Sequence, residues 1–166
     1  APPAVDREGP FRMQVSALDW SSYVGLIGIG RIQRGRVKRN SQVVAVGAGR
    51  MGRGIAHVMA YAGFNVTLVD MKIRTADDRA ALMQAAAQEI QTNLTTVADA
   101  GIASASDVTR IMSRVSYATD DAHAADALAR ADLVFEGVPE VMEQKQTALA
   151  SISASVSAQA IIASTT

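Results

Sequence analysis

Gly47, Gly49 and Gly52 follow directly on the β-branched run Val43-Val44-Ala45-Val46, in the segment Gly47-Ala48-Gly49-Arg50-Met51-Gly52-Arg53-Gly54. Each glycine has its own expected task. Gly47 allows a tight turn, Gly49 lets the backbone come up against a pyrophosphate, and Gly52 lets the next helix lie close to a sheet. The start of that helix directs the peptide N–H groups of Gly49, Arg50, Met51 and Gly52 toward anionic oxygens. Asp70 lies 23 residues beyond Gly47 and ends a second apolar run, Phe64-Asn65-Val66-Thr67-Leu68-Val69. A carboxylate there accepts ribose hydroxyls and repels a 2′-phosphate, so the pattern favours NAD over NADP as cofactor. Lys72 and Arg74 stand close by and soften that preference.

This chemistry is dinucleotide binding rather than turnover. The chain has no cysteine, which excludes disulfides, thiolate metal sites and thiol catalysis. Of the two histidines, His57 falls inside the first long helix, away from any expected substrate position. His123 sits near the start of an alanine-rich helix beside Asp120, Asp121 and Asp126, where an exposed position is expected. The pair has no metal-ligand spacing with other donors. No catalytic residue and no metal site are assigned.

The elements that must position the glycines and Asp70 alternate between strand and helix patterns. After the strand at 43–46, Ile55, Ala56, Val58, Met59 and Ala62 supply a helix face, and Gly63 is placed to end it. From Ala76 to about Ala100, Leu82, Ala86, Ile90, Leu94 and Val97 recur at steps of three and four, with Gly101 as terminator. A short returning helix is expected over Asp107–Met112 with Ser106 as N-cap, which makes a helical hairpin of 76–113. Strands follow at 115–118, 131–136 and 160–164. A helix capped by Thr119 or Asp120 is expected over 121–130. Pro139 and Glu140 are expected to open the last helix, since proline fits a first turn and a carboxylate suits its positive end.

Ahead of this, Phe11–Leu18 alternates apolar and polar residues as a half-buried strand, Asp19-Trp20-Ser21-Ser22 reads as a turn, and Tyr23–Ile32 is a second strand. Its Gly25, Gly28 and Gly30 suggest a bulge or a close backbone approach. Arg31, Arg34, Arg36, Lys38 and Arg39 make the densest basic stretch, but no aromatic residues interleave with them, so RNA contact is disfavoured. Formal charge is zero overall yet uneven: residues 1–74 carry 11 basic and 4 acidic side chains, and residues 75–166 carry 5 and 12, as expected of a nucleic-acid surface or of two segments of different origin. Apolar content of 49% supports a core, and 4% aromatics make that core aliphatic. No apolar run has membrane-spanning length, and residues 1–7 lack a signal-peptide pattern, so a reducing, cytoplasmic compartment is the default expectation. The fold class expected is α/β: a Rossmann-like parallel sheet with a helical hairpin insertion over 42–166, preceded by a short antiparallel β-rich segment over 1–41.

Two resemblances bear on these segments. Gly-Ala-Gly-Arg-Met-Gly-Arg-Gly-Ile-Ala at 47–56, Gly63, Leu-Val-Asp at 68–70, Ala-Asp-Leu-Val-Phe-Glu at 131–136, Val-Pro-Glu at 138–140 and Lys145 resemble the N-terminal NAD domain of the L-3-hydroxyacyl-CoA dehydrogenases. The resemblance runs from about Gln42 to Thr166. It implies that Asp70 binds ribose, that Glu140 and Lys145 line the NAD side of the cleft, and that the hairpin at 76–113 sits where the family contacts CoA. Thr165 stands where the family has asparagine. The family's active-site serine, its histidine–glutamate pair and its helical second domain would fall beyond Thr166. The resemblance therefore implies an NAD domain inactive alone, with hydroxyacyl-CoA as partner only if another chain completes it. Residues 11–38 resemble the start of the second, β-barrel domain of the BipA/TypA translational GTPases, a match covering roughly 4–44. The GTPase domain is not present, so GTP hydrolysis is not implied. A chimera of two parents and a sequence assembled from unrelated reading frames would each account for the two resemblances, and exposed strand edges make a homo-oligomer through β-strand pairing the expected association.

Overall fold

A computed structural model describes residues 12–21, 25–34 and 41–164. The chain divides into two units, residues 1–39 and 40–166. In the first, β1 (Arg12–Ser21) and β2 (Gly25–Arg34) form a two-stranded antiparallel sheet. The expected turn at Asp19-Trp20-Ser21-Ser22 is corrected, because Asp19, Trp20 and Ser21 pair in register with Ile27, Leu26 and Gly25. The register shifts between Val15 and Ala17, opposite Gly30 and Ile29, so the extra residue lies in β1 rather than among the glycines of β2. Phe11 and the basic residues Arg36, Lys38 and Arg39 lie outside the described residues, as do Thr165 and Thr166.

The second unit alternates strand and helix. It runs β3 (Gln42–Val46), α1 (Arg50–Tyr61), β4 (Asn65–Val69), α2 (Ala76–Asp99), α3 (Ala105–Met112), β5 (Val115–Tyr117), α4 (Asp121–Ala129), β6 (Leu133–Glu136), α5 (Met142–Ser155) and β7 (Ile161–Ser164). The five strands are parallel in the order β5-β4-β3-β6-β7. This is the Rossmann-like α/β fold expected from the sequence, and α2 with α3 forms the hairpin insertion.

Helices cover both faces, so the central strand is apolar at nearly every position. Val43 and Ala45 of β3, Val66 and Leu68 of β4, and Leu133 and Phe135 of β6 turn to one face, under Ala56 and Ala60 of α1 and Met83, Ala86, Ile90 and Leu94 of α2. Val44, Val46, Val69 and Val134 turn to the other, against Ala127 and Leu128 of α4 and Ile152 of α5. Each fully buried Val, Leu or Ile contributes about 1.5–3 kcal/mol relative to exposure. The predicted α2 stripe shifts by one position at its start: Met83 is buried, while Leu82 is half-buried.

The helix ends follow local chemistry. Gly63 takes φ +103 just past α1, and Gly101 takes φ +73 just past α2, both left-handed positions that favour glycine. Asp120 caps α4 by accepting the His123 N–H at 2.7 Å. The α3 cap is Ser104, not Ser106. Ser104 and Asp107 exchange hydrogen bonds as a capping box, so the helix begins at Ala105. Pro139 and Glu140 do not open α5. The Val141 N–H bonds the Pro139 carbonyl at 2.7 Å, a tight three-residue turn, and the first helical bond runs from Lys145 N–H to Val141 O at 2.9 Å. No described helix is long and apolar enough to cross a membrane.

Candidate functional site

The carboxyl ends of β3, β4 and β6 meet at the glycine turn. Gly47 takes φ +102, and its N–H donates to the Val69 carbonyl at 2.8 Å. A Cβ at Gly47 would lie 2.8 Å from the Gly137 carbonyl oxygen, just past β6. A Cβ at Gly52 would lie 1.7 Å from the Gly47 carbonyl oxygen and 3.3 Å from Leu68 Cδ1 of β4, so α1 can approach turn and sheet only through glycine. Gly49 differs from both. Its backbone is extended, at φ −83 and ψ −171, and a Cβ there would meet nothing within 4 Å. Neither a positive φ nor close packing requires glycine at that position.

Gly49 is also the N-cap of α1, without a side-chain cap, and the first turn carries no acidic residue. The first helical bond runs from Arg53 N–H to Gly49 O at 3.0 Å. The N–H groups of Arg50, Met51 and Gly52 therefore precede the intrahelical ladder, at the positive end of the helix. Arg53 braces the turn, its Nε donating to the Ala48 carbonyl at 2.9 Å and its Nη1 pairing with Glu89 of α2.

An open cleft of about 1110 Å³ runs along this end of the sheet. Gly47, Gly49, Arg50, Met51, Asp70 and Glu140 all line it. Two residues of the predicted set do not. Gly52 is buried and acts through close packing. Lys145 turns its ammonium to Glu136 Oε2 at 2.9 Å and Ser164 Oγ at 3.1 Å. The reason lies in strand alternation. Glu136 shares the face of Val134, toward α5, and pairs in register with Ser164 of β7. Its carboxylate has no exposed surface, and such a charge requires a partner. Ser164 Oγ donates to Oε2 at 2.8 Å and the Val138 N–H to Oε1 at 2.8 Å. Burial pushes the Glu136 carboxyl upward, but the Lys145, Ser164 and Val138 donors outweigh it and hold the group below the usual carboxylate range.

Asp70 is almost fully buried at the end of β4, and its Oδ2 pairs with Arg74 Nε. The spacing of four residues was readable, but which of the two nearby cations engages the carboxylate was not. His57 is buried in α1, outside the cleft lining, and burial lowers its pKa. His123 is exposed on α4. Among the described residues no group of three or more His, Asp or Glu side chains could hold a metal ion.

Parallel strands, a glycine turn at a bare helix N-terminus and a carboxylate one strand away define a dinucleotide-binding domain. Residues 42–166 match the family model for the 3-hydroxyacyl-CoA dehydrogenase NAD binding domain, and the chain belongs to that family. Its cofactor is NAD, and the residues fit it. The opening above Gly49 is where a pyrophosphate would need close backbone approach, and Asp70 lies in the same cleft.

The solved 3-hydroxybutyryl-CoA dehydrogenase from Escherichia coli K12 is 29% identical with a TM-score of 0.66, over 78% of this chain and 25% of that one. FadB2 from M. tuberculosis is 30% identical with a TM-score of 0.66, over 78% of this chain and 42% of that one. The chain therefore spans well under two thirds of either relative. A separate likeness reaches the large ribosomal subunit assembly factor BipA of Escherichia coli K12, 64% identical over 44 residues, which is 26% of this chain and 7% of BipA.

Proposed function

We propose that residues 42–166 are the NAD-holding half of a 3-hydroxyacyl-CoA dehydrogenase and do not turn over a hydroxyacyl-CoA by themselves. The observation that carries the cofactor half is Gly49, whose missing side chain leaves open space above an uncapped helix N-terminus. In this reading the pyrophosphate lies against the N–H groups of Arg50 and Met51. Asp70 accepts the adenosine ribose hydroxyls, and Glu140 faces the cleft further along. Oxidising a secondary alcohol requires a base for the hydroxyl proton as hydride leaves. Neither histidine lines the cleft, so in this reading neither of them serves as that base.

Calorimetric titration of the purified chain with NAD tests this reading. The expected result is saturable binding that weakens about tenfold or more in Asp70→Ala, as hydrogen bonds to a charged group are lost. Equal affinity in the variant overturns the ribose assignment. NADH formation on adding a 3-hydroxyacyl-CoA to the pure chain overturns the inactivity.

The BipA likeness supports a second reading, confined to the leader. We infer that residues ahead of Gln42 come from a different parent and take no part in cofactor binding. Arg34→Glu, on the described strand β2, should then leave NAD affinity unchanged, and a fall in affinity would sink this reading.

A further inference from the structure

We propose that Arg74 and Lys72 let the ribose end of the cleft accept a 2′-phosphate, so that the domain binds NADP as well as NAD. The inference rests on the reading of the cleft as a dinucleotide site and concerns its selectivity.

An unpaired carboxylate at the end of the second strand of a βαβ unit rejects a 2′-phosphate by like-charge repulsion, whereas an arginine nearby accommodates one. This cleft contains both groups on one short segment. Asp70 has a side chain only 6% exposed, and its Oδ2 is already neutralised by Arg74 Nε. The Arg74 side chain is 29% exposed and lines the cleft. Bonding through Nε leaves the two terminal nitrogens of the guanidinium fork as donors for another anion. Lys72 is exposed and lines the same cleft. The segment thus presents one carboxylate against two cations. Arg79, the next cation along the chain, is engaged elsewhere, with Nη1 on Asp121 Oδ1 at 2.6 Å. Glu140 and Glu143 are the other carboxylates of the cleft, and they stand after β6 and in the first turn of α5.

A 2′-hydroxyl and a 2′-phosphate would engage this segment differently. The hydroxyl donates to Asp70. The phosphate takes the free end of the Arg74 fork and the Lys72 ammonium, while the Asp70–Arg74 pair stays closed and screens the carboxylate.

Calorimetric titrations with NAD and with NADP, on the full chain at low and moderate salt, decide the matter. Wild type should bind NADP within tenfold of NAD at low salt, and NADP should weaken more steeply as salt rises. Arg74→Gln should lower the NADP:NAD affinity ratio about tenfold, the effect of losing a charged hydrogen bond. Lys72→Ala, an exposed change that leaves the Asp70–Arg74 pair intact, should lower the same ratio about threefold or more. NAD binding with NADP weaker by more than tenfold overturns this inference and leaves the cofactor site standing. A ratio unmoved in both variants does the same. Absence of binding by either nucleotide overturns the cofactor site and this inference with it.

Discussion

An alanine at position 49 would place its methyl group where no protein atom lies within 4 Å, on a backbone that any L-residue adopts. Two small effects on folding oppose each other. Alanine is a poorer N-cap than glycine, by about 1 kcal/mol. It also reduces the freedom of the unfolded chain, which favours folding by about 0.4–1 kcal/mol. Gly49→Ala should therefore change stability by less than about 1 kcal/mol. In the proposed binding mode the cofactor meets a different situation, because the methyl group would occupy the space through which a phosphate reaches the N–H groups of α1. Losing one hydrogen bond to a charged oxygen costs about 1.5–3 kcal/mol, or roughly 10- to 150-fold in affinity. Gly52→Ala is the control with opposite character. Its Cβ would sit 1.7 Å from a backbone oxygen, so the turn or the helix must move, at a cost of about 3 kcal/mol or more. Urea unfolding and NAD titration on the two variants separate the effects. Wild-type NAD affinity in Gly49→Ala, or a loss of stability like that of Gly52→Ala, would refute the reasoning.

Two further outcomes follow from buried ionisable groups. Lys145→Met should destabilise the fold by about 3 kcal/mol at neutral pH, because Glu136 is left charged with no exposed surface. In wild type the depressed Glu136 contributes stability that is present above the ordinary carboxylate range and is lost as pH falls through its lowered folded value. The variant should behave oppositely, its deficit shrinking from pH 7 to pH 5 as the carboxyl takes a proton; a deficit that grows in urea midpoints would contradict the pairing. His57 has the converse sign. Burial lowers its folded pKa, so the unfolded chain takes the proton first, and stability falls as pH drops through about 6.5. His57→Leu should flatten the unfolding profile between pH 7.5 and 5.5, and an unchanged slope would mean another group controls it.

The strand-and-helix alternation was legible because both signals are local. An apolar run of four or five residues with a glycine at one end marks a buried parallel strand, and α2 announced itself through steps of three and four. The glycine turn and Asp70 were legible for the same reason, since spacing along the chain fixes their place once the βαβ unit is granted. What escaped depends on pairing across the sheet. Nothing in Leu-Val-Phe-Glu shows that Glu136 lies beside Ser164, or that Lys145 is the cation that neutralises it. Pro139 misled because its preference for a first helical turn is also a preference for tight turns, and the Val141–Pro139 bond took the second use. Ser106 misled less excusably. Ser104 has an acidic residue three positions on, which is the capping-box spacing, and the sequence contained it.

The order in which the strands lie has a consequence for how the chain comes together. β3, α1 and β4 are neighbours in sequence, and their half of the sheet can zip up from short-range encounters. β6 reaches the other edge of β3 only after the intervening helices have emerged; the hydrogen bond from Gln42 N–H to Asp132 closes a separation of 90 residues. Loop closure of that length is entropically slow to nucleate. During synthesis, with residues added at about 5–20 per second, one edge of the most apolar strand must therefore wait several seconds without its final neighbour. That waiting edge is where a nascent chain of this kind is most exposed to pairing with the wrong strand, and where a chaperone would have the most to shield.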